Sequence, residues 1–382
     1  YGDNCKRFAF LSRAAIETLR VLDEPFDVLH LHDWQTALAA AYQRILYWND
    51  AAANRPATVL TVHNIFHQGA FWHLDMPMLG LDWSHFNANE LEMNGKISLL
   101  KAGLVFADAI NAVSPTYARD IQTPEGGFGL DGVLRNRVGR VFGIVNGLDY
   151  EEWDPATDPA IAQRYSAADM AGKAECKRAL QRECNLPVGD APLVAVISRL
   201  DKQKGLDILA AAFPGLMAKG VQFVLLGTGE WWCHFHFPDL QRQYPSQASI
   251  HLKFDNALAH RIQAGADMVL MPSLFEPCGL VQLAAQRYGT VPVARRVGGL
   301  GDTIVDATPD RLASGAATGF LFNDYTPDAL LWAMDQALAA YRDKTAWRRL
   351  QAAGMRADWS WRSSALHYVD LFQQAVAFRA QR

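Results

Sequence analysis

The sequence predicts an α/β protein with two tandem doubly wound, Rossmann-like domains that face a cleft, followed by a C-terminal helical tail. Three observations support this prediction. The chain has 382 residues, and at roughly 150 residues per domain two domains are expected. In both halves short β-rich segments alternate with helical patterns, which indicates βαβ units and mostly parallel sheets. A polar segment rich in turn residues separates the two series.

The first series starts with an amphipathic helix at residues 6–22. A second helix is expected at 38–47, and strands are expected at 26–31, 57–62, 109–113 and 141–145. Ser114 and Pro115 follow the third strand. A Ser side chain can accept from free helix amides and proline needs no amide partner, so these two residues predict a helix start. We expect residues 1–155 to form the N-terminal, acceptor-side domain.

A connection is predicted at residues 156–190, where turn signals surround a polar helical stretch. The second domain is expected at residues 191–345. Its strands are predicted at 192–197, 221–226, 249–252, 267–271, 291–294 and 319–322, and its helices at 205–213, 258–264 and 280–288. Residues 327–379 are helical in pattern, with breaks near Asp343 and Asp358. The tail, residues 346–382, is expected to pack back toward the first domain.

Composition excludes several classes of protein. Hydrophobic residues make up 50% of the chain and charged residues 20%, which is ordinary globular usage. The formal net charge of -4 provides no basic field for nucleic acid or anionic lipid, so neither partner is expected. No apolar run approaches the roughly 18 residues of a membrane span. Five cysteines without a CxxC pair indicate a reducing compartment.

Cationic residues follow the first strand of the second domain. Arg199, Lys202 and Lys204 leave this strand together and precede a helix, an arrangement that suits an anionic group. A solvated turn is the alternative interpretation of such a segment taken alone. In doubly wound folds, however, ligands bind at the carboxyl ends of the strands. The position of this segment therefore favours a phosphate site.

A second loop at the same expected sheet edge contains Glu276, Cys278, Gly279 and Leu280. Gly279 allows the backbone to approach a ligand, and free amides at the following helix start can hold a phosphate. Glu276 would then face a neutral polyol or a ribose hydroxyl rather than the phosphate. Cys278 is expected to be a small packed residue, because no base lies beside it in sequence. A third loop, with Gly298 and Gly299, also permits close approach.

Two strand ends of the first domain carry histidine beside Asp or Asn. One is His32-Asp33-Trp34, and the other is His63-Asn64. A histidine at one such position is equally well interpreted as a satisfied core residue. Two such ends in one sheet favour a polar binding cleft.

Several motifs are absent from the sequence. It contains no GxxxxGK[ST], HExxH or GxSxG segment. No Asp-x-Asp pair occurs, which removes a common metal-binding signature of sugar transferases. Cys233, His234 and His236 do not complete a zinc site. We expect no metal.

The motifs together resemble bacterial glycogen synthases and plant-type starch synthases, which are retaining glucosyltransferases of the GT-B fold. The resemblance extends over nearly the whole chain, and its most specific segment is Phe275-Glu-Pro-Cys-Gly-Leu280. The other matching segments are Tyr1–Asn4, His32–Trp34, Thr61–Asn64, Gln68-Gly69, Asn94–Lys96, Leu100–Gly103, Ala112–Ala118, Val145–Gly147, Ser198–Leu200, Gln203–Asp207, Gly298–Leu300 and Asp302-Thr303.

The resemblance implies transfer of glucose from ADP-glucose to the non-reducing 4-hydroxyl of an α-1,4-glucan, with no metal or other cofactor, in the bacterial cytosol. Arg199 and Lys204 match the residues that contact phosphate. Glu276 matches the residue that holds the glucose hydroxyls, and His63 the one that contacts glucose and helps to position the reacting centre. Further substrate contacts are implied for Asp33, Trp34, Asn64, Asn146, Cys278, Gly279, Leu280, Gly298, Gly299 and Thr303.

The family starts with a strand and a Lys-Thr-Gly-Gly loop that grips the donor, and neither occurs here. The chain begins at Tyr1 rather than Met, so the opening βα unit of the first domain is expected to be missing. The alternative function is therefore a catalytically impaired nucleotide-sugar or glucan-binding protein. A nicotinamide oxidoreductase ranks far behind, because no glycine fingerprint follows the first strand.

Overall fold

The computed structural model describes residues 1–22 and 24–381. The chain forms two compact units. The first unit comprises Tyr1–Val145 and Ser364–Arg382, and the second comprises Asn146–Ser363. No helix of the described residues is long and apolar enough to cross a bilayer.

The first unit has a parallel sheet and a small antiparallel sheet. Its strands are β1 (Val28–His32), β2 (Ala57–Val62), β3 (Ala70–Trp72), β4 (Glu92–Met93), β5 (Lys96–Ser98), β6 (Ala109–Ala112) and β7 (Val141–Gly143). Its helices are α1 (Asn4–Leu22), α2 (Asp33–Ile45), α3 (Met76–Leu79), α4 (Leu99–Phe106), α5 (Pro115–Asp120) and α6 (Asp131–Arg135). In the described residues the parallel sheet has the order β1-β2-β6-β7, and the antiparallel sheet has the order β3-β5-β4.

Strand β2 lies in the interior of the parallel sheet. Every residue of β2 is buried, because β1 and β6 flank it and helices cover the sheet. Strand β6 is likewise buried, and it leads into the predicted helix start. Ser114 is the N-cap of α5, accepts from the Tyr117 amide and is followed by Pro115, so this prediction is confirmed.

The second unit has a parallel sheet. Its strands are β8 (Leu193–Ile197), β9 (Gln222–Leu226), β10 (Ala248–His251), β11 (Met268–Met271), β12 (Val291–Arg295) and β13 (Phe320–Phe322). Its helices are α7 (Ala171–Glu183), α8 (Leu206–Met217), α9 (Trp231–Gln243), α10 (Asn256–Gly265), α11 (Val281–Arg287), α12 (Gly298–Thr303), α13 (Pro309–Ser314), α14 (Pro327–Arg342) and α15 (Lys344–Arg356).

The strand order of this sheet, over the described residues, is β10-β9-β8-β11-β12-β13. The chain therefore moves outward in one direction from β8 and then returns to add β11 on the other side. Such a reversal is a topological switch point, and ligands of doubly wound sheets bind there, outside the carboxyl ends of the strands. A ligand site is therefore expected at the loops that follow β8 and β11.

The last helix, α16 (Trp361–Ala380), returns to the first unit. Tyr368, Leu371 and Ala375 are buried against Ala57 and Ala109 of the parallel sheet. The tail predicted at residues 346–382 ends at Arg382, which lies outside the described residues.

The domain boundaries expected at residues 155, 190 and 345 remain predictions. The compact units change over at residues 145 and 363. The segment expected to be a connection contains α7, whose Leu180 packs with Leu258 and Ile262 of α10 in one core. It therefore lies within the second unit.

Candidate active site

The loops after β8 and β11 contact each other backbone to backbone. Gly205 has a φ of 69°, and a Cβ added to it would lie 1.9 Å from the carbonyl oxygen of Pro272. The amide of Leu274 donates to the carbonyl of Gln203 at 2.8 Å. Because glycine alone fits this approach, the sequence brings the residues on both sides of it together.

Lys204 and Glu276 form an ion pair where these loops meet. The Nζ of Lys204 lies 2.7 Å from Oε2 and 3.0 Å from Oε1 of Glu276, and the hydroxyl of Ser273 also donates to Oε2, at 3.0 Å. Glu276 is only 5% exposed. The carboxylate can accept hydrogen bonds from hydroxyl groups, and the ammonium beside it can donate to anionic oxygens. The pair therefore suits a ligand with both hydroxyl and anionic groups. The sequence predicted Lys204 and Glu276 as site residues but not Ser273.

Arg199 is exposed, in contrast to Lys204. Its guanidinium forms an ion pair with Asp201, with 3.1 Å between Nη1 and Oδ2. Arg199 lines the same cavity as Lys204 and Glu276. It can therefore supply a second positive charge to an anion bound there.

Two cavities lie side by side at this edge of the sheet. The smaller has a volume of about 180 Å³, and its lining includes Arg199, Lys204, Ser273, Glu276, Gly279 and Leu280. The larger has a volume of about 320 Å³, and its lining includes Leu148, Trp153, Thr228, Phe254, Asn256 and Val281. Ile197, Ser198, Arg199, Leu280 and Val281 line both. A cavity with charged side chains in its lining thus adjoins one with aromatic walls.

The larger cavity was not predicted from the sequence. Trp153 forms one wall and stacks on the ring of His260, with centroids 3.9 Å apart and planes at 11°. Asp158 holds that ring through a 2.8 Å hydrogen bond to Nδ1. Phe254 follows β10 at the edge that holds the charged residues, and this position was the signal that could have identified it.

Gly279 lines the smaller cavity with a φ of 76°. Gly298 and Gly299 are placed differently, because added Cβ atoms would lie 1.9 Å from the Glu276 carbonyl oxygen and 2.2 Å from that of Cys278. Thr303 is 1% exposed and donates to the Gly299 carbonyl at 2.6 Å. These three residues hold the loop that carries Glu276, and their direct contact with substrate remains a prediction.

Cys278 is packed, as its surroundings in the sequence suggested. It is 4% exposed, and burial raises the pKa of its thiol to about 12. The thiol is therefore protonated near neutral pH, and the backbone of Asn146 hydrogen bonds to it. The Oδ1 of Asn146 is buried, and among the described residues no partner accounts for it. Substrate contact by Asn146 and Cys278 stays predicted.

The first unit brings together the two predicted strand ends. The Nδ1 of His32 lies 3.0 Å from the Nε2 of His63, and the Asp33 carboxylate accepts from the His63 amide at 2.6 Å. One proton can occupy the line between two imidazoles, so one ring donates and the other accepts. Burial and the neighbouring His63 lower the pKa of His32. The sequence placed His32 at one of the two strand ends of the expected cleft but assigned it no contact with substrate.

Trp34 and Asn64 lie beside the two strand ends that carry His32 and His63. Trp34 packs edge-on against Phe8 with centroids 4.8 Å apart, and a Cβ at Gly69 would collide with its indole at 2.5 Å. The side chain of Asn64 accepts from the amide of Phe66 at 3.0 Å. Both side chains hold the backbone near His63, and their contact with substrate remains a prediction. In the part of the chain that the structure describes, no group of three or more His, Cys, Asp or Glu could hold a metal ion.

Comparison with known proteins agrees with this geometry. A family model described as the starch synthase catalytic domain matches residues 1–136, and one for group 1 glycosyl transferases matches residues 177–351. The glycogen synthase of Anaeromyxobacter sp. (strain Fw109-5) is 50% identical over 378 residues, which cover 99% of this chain and 79% of that protein. Glycogen synthase 1 of Geobacter metallireducens is 47% identical, with coverage of 99% and 75%.

A solved structure is also similar. The catalytic domain of starch synthase IV from Arabidopsis thaliana, bound to ADP and acarbose, superposes with a TM-score of 0.88 at 34% identity, over 99% of this chain and 78% of that one. The fold and its charged switch-point site define a GT-B glycosyltransferase. Within that class, the chain belongs to the glycogen synthase and starch synthase family of glucosyltransferases.

Proposed function

We propose that this protein transfers glucose from ADP-glucose to the non-reducing 4-hydroxyl of an α-1,4-glucan, with retention of configuration. The observation that carries the proposal is the Lys204–Glu276 pair, which lines a cavity beside a larger cavity with aromatic walls. A nucleoside diphosphate sugar has matching parts: a flat base, a charged diphosphate and a neutral ring of hydroxyls. The family of the chain supports the same substrates.

The second unit supplies the groups for the donor. As the bond to glucose breaks, negative charge grows on the departing diphosphate, and fixed cations at that position lower the energy of the transition state. Lys204 and Arg199 are the cations that line the smaller cavity. Glu276 accepts hydrogen bonds from glucose hydroxyls, and Lys204 and Ser273 keep its carboxylate oriented. The larger cavity takes the nucleoside base between its aromatic walls.

His63 contacts the glucose in this proposal, as the family resemblance implies. Its Nε2 is engaged with His32, so Nδ1 is the ring atom that remains for the sugar. We propose that no metal takes part, and chelation with EDTA should leave the transfer rate unchanged. A location in the bacterial cytosol and the absence of a nucleic-acid partner are further parts of the proposal.

The test combines binding and turnover on the 382-residue chain. Calorimetry should show ADP binding that Lys204→Ala weakens, and labelled glucose from ADP-glucose should enter glycogen. Parallel assays with UDP-glucose establish which base the larger cavity prefers. No incorporation from either donor, together with saturable ADP binding, would overturn the synthase and favour the alternative, a nucleotide-sugar or glucan-binding protein.

A further inference from the structure

Helix α9 exposes aromatic side chains on the face that points away from the core, where a surface helix usually carries polar residues. Its buried face comprises Cys233, Phe237 and Leu240, which pack into the core of the second unit. On the remaining surface Trp231 is 77% exposed and Phe235 is 52% exposed. Large apolar side chains that form a group at the surface mark a binding site more often than isolated ones do. The sequence suggested for this segment only an incomplete zinc site, at Cys233, His234 and His236, and assigned it no other role.

The exposed rings of Trp231 and Phe235 form one group, which we call the aromatic platform. The rings of Trp231 and Phe235 meet edge to face, with centroids 4.5 Å apart. Trp232, which is 37% exposed, donates its indole N–H to Glu230 at 2.8 Å. The two rings of the platform are therefore in contact with each other, and Glu230, whose carboxylate bonds to Trp232, directly precedes Trp231 in the chain.

The platform is connected directly to the donor site through Glu230. The amide of Glu230 donates to the carbonyl of Leu200 at 2.6 Å, and its carboxylate accepts from the amide of Lys202 at 2.9 Å. Leu200 and Lys202 belong to the loop that also carries Arg199 and Lys204. Thr228, two residues before Glu230, lines the larger cavity. The residue that precedes the platform is thus hydrogen bonded to the loop that carries the donor-site cations.

We propose that the aromatic platform binds a stretch of the α-glucan acceptor away from the chain end that reacts. The inference rests on the proposed function, because that function supplies a polymer longer than the reacting end. Pyranose rings present C–H faces that pack against indole and phenyl rings, while their hydroxyls bond to neighbouring polar groups. Glu230 and His234, which lies 3.4 Å from the Thr228 hydroxyl, provide such groups. Holding the polymer here raises its effective concentration at the site.

The experiment is electrophoresis of the full chain through native gels that contain increasing glycogen, which measures affinity without turnover. The double variant Trp231→Ala, Phe235→Ala should bind glycogen about fivefold to tenfold more weakly, the loss expected when two stacked rings are removed. The single variant Trp231→Phe keeps an aromatic face at this position, and glycogen should retard it nearly as strongly as it retards the wild type.

Trp332→Ala is the matched control, because Trp332 is 56% exposed on α14 and lies outside the platform. Calorimetry with ADP verifies that the donor site of each variant is intact.

Equal retardation of the wild type and the double variant would overturn the proposal, as would a wild type that glycogen does not retard. A wild-type dimer that the double variant converts to monomer in analytical ultracentrifugation would assign the platform to a second copy of the chain instead. Because the gel needs no catalysis, loss of retardation in the double variant supports the platform even if glucosyl transfer fails.

Discussion

The two cations predicted to contact phosphate differ in what else they do. The Lys204 side chain is 18% exposed and neutralises a carboxylate that is 6% exposed. The Arg199 side chain is 63% exposed, and its ion pair with Asp201 lies at the surface. Removing one partner from a buried pair leaves a charge without compensation, whereas a surface pair contributes little to stability. The same substitution should therefore have different effects at the two positions.

Lys204→Ala should lower both the ADP affinity and the free energy of unfolding of the second unit, the latter by about 3 kcal/mol. Arg199→Ala should lower ADP affinity about tenfold, through loss of charge-assisted hydrogen bonds, and change unfolding by less than about 0.5 kcal/mol. Urea denaturation and calorimetry measure the two quantities. Equal destabilisation by both variants would show that burial does not make the Lys204–Glu276 pair more important for stability than the surface pair of Arg199 and Asp201.

His30 makes the stability of the first unit sensitive to acid. Burial, with smaller effects of His32 and His63, lowers the pKa of His30 from 6.5 to about 4. Between these values the unfolded chain binds a proton that the folded unit does not, so unfolding becomes more favourable as pH falls. We expect the first unit to lose roughly 2–3 kcal/mol of stability between pH 6.5 and pH 4 from this residue.

His30→Phe should reduce that acid sensitivity, since the ring already packs against Phe372 and Tyr368. Denaturation midpoints across the pH range measure the effect. His367→Gln, an exposed substitution on α16, is the control and should leave the pH profile as it is in the wild type. A His30→Phe profile that matched the wild type would remove His30 as the cause.

At the scale of elements, Gly205 decides whether the loops after β8 and β11 can meet. Alanine there would bring Cβ to 1.9 Å from the Pro272 carbonyl oxygen, with φ held at 69°. Gly205→Ala should therefore displace Lys204 from Glu276, weaken ADP binding and destabilise the second unit by about 2 kcal/mol or more. Gly220→Ala is a matched control: its φ is 74°, and an added Cβ meets nothing within 4 Å. If both variants bound ADP equally well, the loop contact would not be what positions Lys204.

Most of the strands could be predicted from the sequence, because a buried strand requires a run of apolar residues whatever surrounds it. Residues 57–62 were predicted with the bounds of β2, and Ser114 with Pro115 specified the start of α5. Helix ends were less predictable. Helix α8 was predicted to end at Phe213, where Pro214 follows, but it continues to Met217. Burial of Leu216 and Met217 in the core outweighs the local cost of proline.

The residues of the site could likewise be predicted only in part. Its charged residues could be predicted, since Arg199, Lys204 and Glu276 directly follow the ends of strands. The contacts among them could not, because the approach of Gly205 to Pro272 joins segments about 70 residues apart in sequence. Trp153, from the end of the predicted N-terminal domain, lines the larger cavity and stacks on His260, which is more than 100 residues away in sequence. The local sequence around either residue does not predict such a contact.

At the scale of the whole chain, the last helix completes the first unit. After more than 200 residues in the second unit, α16 covers the parallel sheet of the first, where Tyr368, Leu371 and Ala375 are buried with Ala57 and Ala109. The hydroxyl of Tyr368 also accepts from Asn111 of β6 at 3.1 Å. The first sheet therefore buries part of its apolar surface under a helix from the far end of the chain, and the stability of the first unit should depend on that helix.

Leu371→Ala tests this dependence. Leu371 is 1% exposed, so the substitution should cost the first unit about 2–5 kcal/mol. The second unit has its own core, so its unfolding and its ADP affinity should not change. Unfolding by heat or urea should show separate transitions for the two units. ADP raises the midpoint of the second unit and so identifies its transition.

Leu366→Ala on the same helix is the control. Leu366 is 67% exposed, so its substitution should cost less than about 0.5 kcal/mol. Should Leu371→Ala shift the ADP-sensitive transition instead, α16 would have to be assigned to the second unit, and the two-unit description of the chain would be wrong.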